Sequence, residues 1–185
     1  MGGGPPSGFL YYPETVSPAE GSSLVEHIRA IAFSPVEMRG QVARRRTAHF
    51  GWVYGYESWR ITPGPPLPEF LLPLRARVAT LAAVEPAALA EILVTEYPAG
   101  AAIGWHRDAP QFGVVVGVSL LSACRMRFRS FPPRKNARIL SLDLEPRSAY
   151  VLKDDVRWKW QHSIAPTNAL RYSITFRTRA EEAKR

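Results

Sequence analysis

The chain has 185 residues, 46% of them apolar, with five Trp, seven Tyr and eight Phe; this is enough for one domain with a sizeable core and too apolar for general disorder. Its 24 Lys and Arg against 16 Asp and Glu give a net charge of +8, which favours attraction to a polyanion but also fits a basic surface with no nucleic-acid role. The single cysteine, Cys124, excludes an intramolecular disulfide and a Cys-rich zinc site. The N-terminus lacks the layout of a signal peptide, and the longest apolar run, Gly113 to Cys124, is too short to span a bilayer as a helix. A soluble, cytoplasmic chain with no membrane and no obligate protein partner is expected.

Residues 1–16 are Gly- and Pro-rich and read as a flexible arm in which Phe9 to Tyr12 can form a short strand. Ser17-Pro18-Ala19-Glu20 has the form of a capping box with proline at the first helical position. Leu24, Val25, Ile28, Ile31 and Ala32 follow at helical spacing, predicting a helix over 18–32, with His27 a surface or boundary residue. Arg44, Arg45 and Arg46 then lead into Phe50, Trp52, Tyr54 and Tyr56, which fall at period two and give one aromatic face to an extended segment. Rings beside a basic cluster suit a protein that stacks a base while holding phosphates. The same alternation suits a core strand whose rings pack inward. Thr62 to Pro68 is a stiff, proline-rich connector. Phe70, Leu71, Leu74, Val78 and Leu81 predict a second helix with Pro73 near its first turn, and Glu85 to Leu89 a turn before a strand through 93–97.

Beyond Asp108 strand signals dominate. Val114 to Leu121 is a β-branched run, buried on both sides if it is a strand. Arg125-Met126-Arg127-Phe128-Arg129 alternates strictly, with three arginines on one face. Arg134 and Lys135 lie in a basic turn, and 139–144, 149–152, 158–164 and 173–176 are strand-like. Helices first and short strands later make a mainly β protein with α (α+β): a barrel-like or jelly-roll double sheet with N-terminal helices packed outside. Residues 179–185 read as a frayed, charged tail.

His106 and Asp108, two apart in an extended stretch, point to the same face. A second His would complete the two-His, one-carboxylate set that holds non-haem Fe(II) and leaves positions open for oxygen and a co-substrate. Of the four histidines, His27, His49, His106 and His162, only His162 is both distal to Asp108 and in strand-like sequence. Such spacing also arises by chance. Arg171, Ser173, Thr175 and Arg177 share one face of the last strand. Two guanidiniums inside a sheet are costly unless an anion pairs with them, and a dicarboxylate would supply that through bidentate contacts. The alternative is two surface arginines on the solvent face of an edge strand.

Together, Thr95-x-Tyr97, Ile103-Gly104-x-His106-x-Asp108, Trp160-x-His162-x-Ile164 and Arg171-Tyr172-x-x-Thr175-x-Arg177 resemble the AlkB-type Fe(II)- and 2-oxoglutarate-dependent dioxygenases, from about Arg44 to Arg177. The resemblance implies a double-stranded β-helix (jelly-roll, cupin-like) core in one dioxygenase domain over 17–178, with about 41–66 a lid over the substrate nucleotide. It implies Fe(II) on the catalytic set His106, Asp108 and His162, O2 as oxidant, and 2-oxoglutarate bound by Tyr97, Arg171 and Arg177 together with Thr95 and Ser173. Thr95 and Ser173 stand where the family usually has Asn, and Ala109-Pro110-Gln111 where acidic residues often follow the His-x-Asp. The implied reaction is oxidative dealkylation of alkylated bases in DNA, or RNA, releasing aldehyde, succinate and CO2. Trp52, Tyr54, Tyr56 and His106 would stack the base, and Arg44, Arg45, Arg46, Arg134 and Lys135 would meet phosphates. Two alternatives are an oxygenase of the same chemistry acting on a protein side chain or small molecule, and an inactive nucleic-acid-binding barrel.

Overall fold

The computed structural model describes residues 5–180 apart from 39, 56–59, 134 and 136–137. The strands are β1 (Phe9–Tyr12), β2 (Ser34–Met38), β3 (Gln41–Gly55), β4 (Arg60–Pro63), β5 (Leu89–Tyr97), β6 (Ile103–His106), β7 (Phe112–Leu120), β8 (Cys124–Ser130), β9 (Leu140–Leu144), β10 (Ala149–Leu152), β11 (Trp160–Ile164) and β12 (Arg171–Arg179). The helices are α1 (Pro18–Arg29), α2 (Leu72–Ala82) and α3 (Asp154–Lys159). A larger antiparallel sheet runs β1-β10-β7-β12-β5-β3-β2, with β4 paired to β3, and a smaller one runs β6-β11-β8-β9. This is the mainly β, jelly-roll-like core with flanking helices that the sequence predicts.

Strand alternation assigns each face of the larger sheet its partner. Ile92 and Val94 of β5, Val116, Val118 and Leu120 of β7, and Tyr172, Ile174 and Phe176 of β12 share one core with Leu24 and Ile28 of α1 and Leu74 and Val78 of α2. The intervening residues face the smaller sheet, where Val115 and Tyr150 pack with Met126, Phe128 and Ile164. The layers are therefore helices, larger sheet, inter-sheet space and smaller sheet.

The capping box forms: Ser17 accepts a hydrogen bond from the Glu20 backbone N–H at 3.2 Å, with Pro18 opening α1. The helix ends at Arg29, short of 32, although Ile31 still packs on the core. Pro73 lies in the first turn of α2, and Ala83 closes that helix in the left-handed conformation.

Four expectations change. Residues 9–16 are not a loose arm, because β1 pairs with β10 through Phe9↔Leu152 to Tyr12↔Ala149 and Val16 is fully buried. Trp158 and Lys159 are helical, in α3, so the strand carrying His162 begins at Trp160. Arg179 belongs to β12 rather than to the tail, pairing with Phe112 and lying over the Trp52 ring; residues 181–185 lie outside the described set. Finally, the aromatics of β3 do not share one face. Gly51 sits at φ +77°, the left-handed region that interrupts an extended strand. Phe50 packs towards the helices, whereas Trp52 meets Arg179 and Tyr54 meets Phe112 edge-on. Tyr56 lies outside the described residues.

A side chain at Gly51 would also drive its Cβ into the Ala90 carbonyl, whereas Gly40, at φ +74°, has open space around it. Gly40→Ala should therefore cost about 1 kcal/mol of backbone strain, and Gly51→Ala clearly more, on the order of 2–3 kcal/mol. Urea midpoints of the two variants check the ordering.

Candidate metal and co-substrate centre

The floor of the inter-sheet space is set by register. β12 lies between β5 and β7, with Arg171 opposite Tyr97, Ser173 between Thr95 and Ser119, Thr175 opposite Leu93 and Arg177 opposite Glu91. Cross-strand partners project to the same side. Leu93, Thr95, Tyr97, Arg171, Ser173, Thr175 and Arg177 accordingly line one cavity, closed from the other sheet by Ile103, His106, Met126, His162 and Ile164. Arg171 and Arg177 of β12 face inward, with Arg171 fully buried.

His106 and His162 are opposite one another on β6 and β11, with ring centroids 4.3 Å apart. Asp108 follows the end of β6, and one ligand atom from each of the three residues falls within 4.8 Å of the others. The His106 Nδ1 lies 2.8 Å from the Gly104 carbonyl, a contact that fixes the ring and leaves Nε2 for the centre. Asp108 is used asymmetrically. Its Oδ1 accepts from Arg177 Nε at 2.8 Å and lies 2.7 Å from Arg177 Nη2. Its Oδ2 is buried without a hydrogen-bond partner, 3.6 Å from His162 Nε2. A buried carboxylate oxygen facing two imidazoles suits a divalent cation in donor type and in charge.

Burial pushes both imidazoles below the ordinary histidine range, His162 down to about 3 with the neighbouring His106 adding to the effect, and Asp108 acts in the opposite sense on both. Burial also raises the Asp108 carboxyl, but Arg177 and the two histidines outweigh it and hold the group ionised, well below the usual carboxylate range. The three side chains are thus in their metal-binding protonation states at neutral pH.

Deeper in the cavity, Arg171 Nε donates to Ser119 Oγ at 2.9 Å and the guanidinium lies 5.0 Å from the Tyr97 ring centre. Its Nη1 is buried and has no hydrogen-bond partner. A fully buried guanidinium with an unused donor fits an anionic group. Arg177 is already occupied, because Nη1 reaches both Glu91 oxygens at 3.0 and 2.8 Å while the rest of the head holds Asp108. Thr95 and Ser173 form a small polar row with Ser119 beside Arg171.

The residues expected to contact substrate separate into groups. Arg46 is exposed and pairs with Glu96 at 2.7 Å, and Arg44 extends over Gly100. Arg45 lies on the cavity side of β3, close enough for its charge to act on Tyr97 and His106. Trp52 and Tyr54 stand on the β3–β4 hairpin, and Tyr54 contacts Phe112, whose ring is 5.3 Å from Arg177. Lys135 is exposed, and Arg134 lies outside the described residues.

Sequence reasoning missed four residues, Tyr150 in the lining of the cavity and three that support it from around. Ser119 carries the Arg171 contact. Glu91 is fully buried beneath Arg177, with His49 Nδ1 3.6 Å away. Tyr150 lies over Gly117, where any Cβ would strike its ring, and burial raises its hydroxyl pKa despite the opposing charge of Arg171. Arg157 is buried and donates to the carbonyls of Ala109, Phe112 and Gly113, pinning the loop after Asp108. The alternation Glu91-x-Leu93-x-Thr95-x-Tyr97 was the readable signal for Glu91. For Ser119 and Tyr150 only the strand order supplies it.

The depressed histidines give the metal-free chain a signed pH dependence. Below about pH 6.5 the unfolded chain takes protons that folded His106 and His162 refuse, so stability falls with pH, by up to about 1.4 kcal/mol per unit for each. Asp108, whose folded pKa is also depressed, loses stability in the same direction through the carboxylate range. Urea midpoints between pH 7.5 and 4.5 should show the decline, and His162→Gln should flatten its upper part.

Comparison with known proteins agrees with this geometry. The solved structure of OsALKBH1 superposes with a TM-score of 0.74 at 15% identity, covering 92% of this chain and 96% of that one. A Pseudomonas putida prolyl-4-hydroxylase superposes at 0.65, also at 15% identity, covering 95% and 94%. Both likenesses concern the fold. The uncharacterized protein L905 of Acanthamoeba polyphaga mimivirus is 32% identical over 105 residues, 50% of this chain and 49% of that protein. The chain thus spans about half the length of the curated relative it matches. The 2OG-Fe(II) oxygenase superfamily model matches residues 8–177. The chain belongs to the 2OG-Fe(II) oxygenase superfamily, whose members take Fe(II), 2-oxoglutarate and O2.

Proposed function

We propose that the chain is a dioxygenase that oxidatively dealkylates alkylated bases in DNA, with His106, Asp108 and His162 holding Fe(II) and the Arg171 cavity holding 2-oxoglutarate. When bound, these groups and O2 supply hydroxylation of an N-alkyl carbon, and the products are the restored base, an aldehyde, succinate and CO2. Arg171 pairs with one carboxylate of the co-substrate through its unused Nη1, and Ser119 holds the guanidinium in place. Tyr97 and Tyr150 bring phenol groups to the same cavity. Thr95 and Ser173 line it with hydroxyls. Arg177 keeps Asp108 ionised and aims its free oxygen at the two histidines. Leu93, Ile103, Met126 and Ile164 exclude water from the space between.

The observation that supports a base as substrate is the β3–β4 hairpin. It sets Tyr54 edge-on to Phe112 beside Arg177, and Trp52 next to Arg179, at the rim of the metal centre. Flat rings with cationic neighbours suit a base that has been flipped out or presented in a single strand. Residues of about 41–66 act as the lid in this reading, with Arg45 turned towards the centre and Arg46 neutralised by Glu96.

The test is incubation with Fe(II), 2-oxoglutarate and a panel of alkylated oligonucleotides, weighing the products. Loss of the alkyl mass, matched by succinate and abolished by Asp108→Ala or His106→Ala, is expected. Succinate formation with no change in any oligonucleotide would move the reading to a protein or small-molecule substrate, and no succinate at all would leave a non-catalytic barrel.

Arg171→Gln removes the buried charge and its bidentate geometry. It should raise the KM for 2-oxoglutarate by about 100-fold or more, the loss of one buried charge-assisted pair. Fe(II) or Mn(II) affinity measured without co-substrate should change much less, because Arg171 does not touch the triad.

A further inference from the structure

We propose that the outward face of the smaller sheet is a second binding surface, on which Arg127 and Arg129 hold the phosphodiester backbone of a single DNA strand. The inference extends the nucleic-acid reading of the metal centre, on which it rests for its ligand class.

The face follows from alternation. His106, His162, Met126 and Phe128 point into the inter-sheet space, so Trp105 of β6, Gln161 and Ser163 of β11, Arg125, Arg127 and Arg129 of β8, and Ser141 and Asp143 of β9 point out. Register places Arg127 between Ser163 and Ser141, Arg129 opposite Gln161, and Arg125 opposite Asp143. The helical layer covers the far side of the larger sheet, not this face.

The three arginines differ in how they are used. Arg125 is neutralised by a two-pronged contact with Asp143, at 2.8 and 2.9 Å. Arg127 Nε donates to Ser163 Oγ at 3.0 Å and Arg129 Nε to Gln161 Oε1 at 2.8 Å, both neutral acceptors. Their guanidinium carbons lie 5.2 and 4.5 Å from the Trp105 ring centre. Ser163 is small enough to let Arg127 cross β11, and it is fully buried beneath that contact. Among the described residues no carboxylate pairs with either guanidinium. Two half-buried cations are therefore held on the sheet, each by its Nε and by the Trp105 ring.

Holding them this way removes most of the arginine rotamer entropy that binding would otherwise cost. They sit two positions apart on one strand, about 7 Å, so successive phosphates of an extended backbone can each meet one guanidinium in bidentate fashion. Gln161, Ser163 and Asp143 on this face are committed to arginines, which leaves the exposed Ser141 as an outward hydroxyl beside Arg127. The choice of DNA follows from the substrate reading of the metal centre. The surface also adjoins the metal centre. β6 is an edge strand, with Trp105 outward beside His106 inward. Arg107, exposed and stacked at 3.8 Å on Phe131, carries positive charge around that edge.

The experiment measures binding of an unmodified single-stranded DNA oligonucleotide to the full chain across a salt series, in an Asp108→Ala background as well as in the wild type. Each phosphate contact contributes about 0.7 to the slope of log affinity on log salt for a single strand. Arg127→Gln with Arg129→Gln should lower that slope by about 1.4 and weaken binding roughly tenfold at about 50 mM salt. Arg125→Gln should leave the slope unchanged. Equal losses from Arg125→Gln, an unchanged slope in the double variant, or tighter binding of RNA of the same sequence would overturn the proposal. So would a wild-type dimer that the double variant dissociates in sedimentation, since the face would then join two copies. Hydrogen exchange of the wild-type chain needs no variant. Protection of 124–130 by the oligonucleotide is expected, and protection confined to 41–63 overturns the proposal. The predicted slope change alongside no dealkylation of any lesion would keep this surface and discard the substrate reading, while dealkylation without the slope change would do the reverse.

Discussion

The centre depends on one buried side chain, Arg177. It faces inward from the middle of the larger sheet, held on one side by both oxygens of Glu91 and on the other by one oxygen of Asp108. Breaking such a pair costs several kcal/mol because the surviving charge stays buried. Arg177 therefore fixes the rotamer of Asp108 and leaves its second oxygen nowhere to turn except towards the histidines.

Strand register makes this arrangement all-or-none. Arg171, Ser173, Thr175 and Arg177 face the cavity because Tyr172, Ile174 and Phe176 face the helices. A slip of one residue in β12 would bury two guanidiniums among the aliphatic side chains of α1 and α2 and turn three apolar residues into the metal site. The apolar half of the alternation thus specifies the polar half. The core that stabilises the fold is also what aims the functional residues.

This explains which parts could be read in the sequence. The triad was legible because His106 and Asp108 are local to each other and His162 had few rivals. The inward face of β12 was legible because its alternation runs unbroken from Arg171 to Arg177. The β3 aromatics were not, since Gly51 adopts a left-handed conformation that a period-two count cannot register. Ser119 and Tyr150 escaped because their proximity to Arg171 comes from β7 lying beside β12 and β10 beside β7, and strand order is a long-range property. The extent of β12 was underestimated for a related reason: the partner of Arg179, Phe112, is more than 60 positions away, and the local composition of that end is that of a loop.

The loop after Asp108 and the buried acid of β5 bear on each other. Ala109-Pro110-Gln111 offers no carboxylate next to Asp108, so Arg177 needs a further counter-charge from another element. Any strand whose residue faces the same side at the same level can supply one, because a cross-strand neighbour is as near as a sequence neighbour. Glu91 stands directly opposite Arg177 on β5 and meets that condition. Freed of an acidic role, the loop is held instead by its backbone, through the three carbonyls that accept from Arg157. The substrate side of the metal is then edged by neutral groups and by the Phe112 ring rather than by carboxylates. In the proposed reading, selection among bases at this centre comes from ring stacking and cavity shape, with no acid in that loop to accept a hydrogen bond from an exocyclic amine.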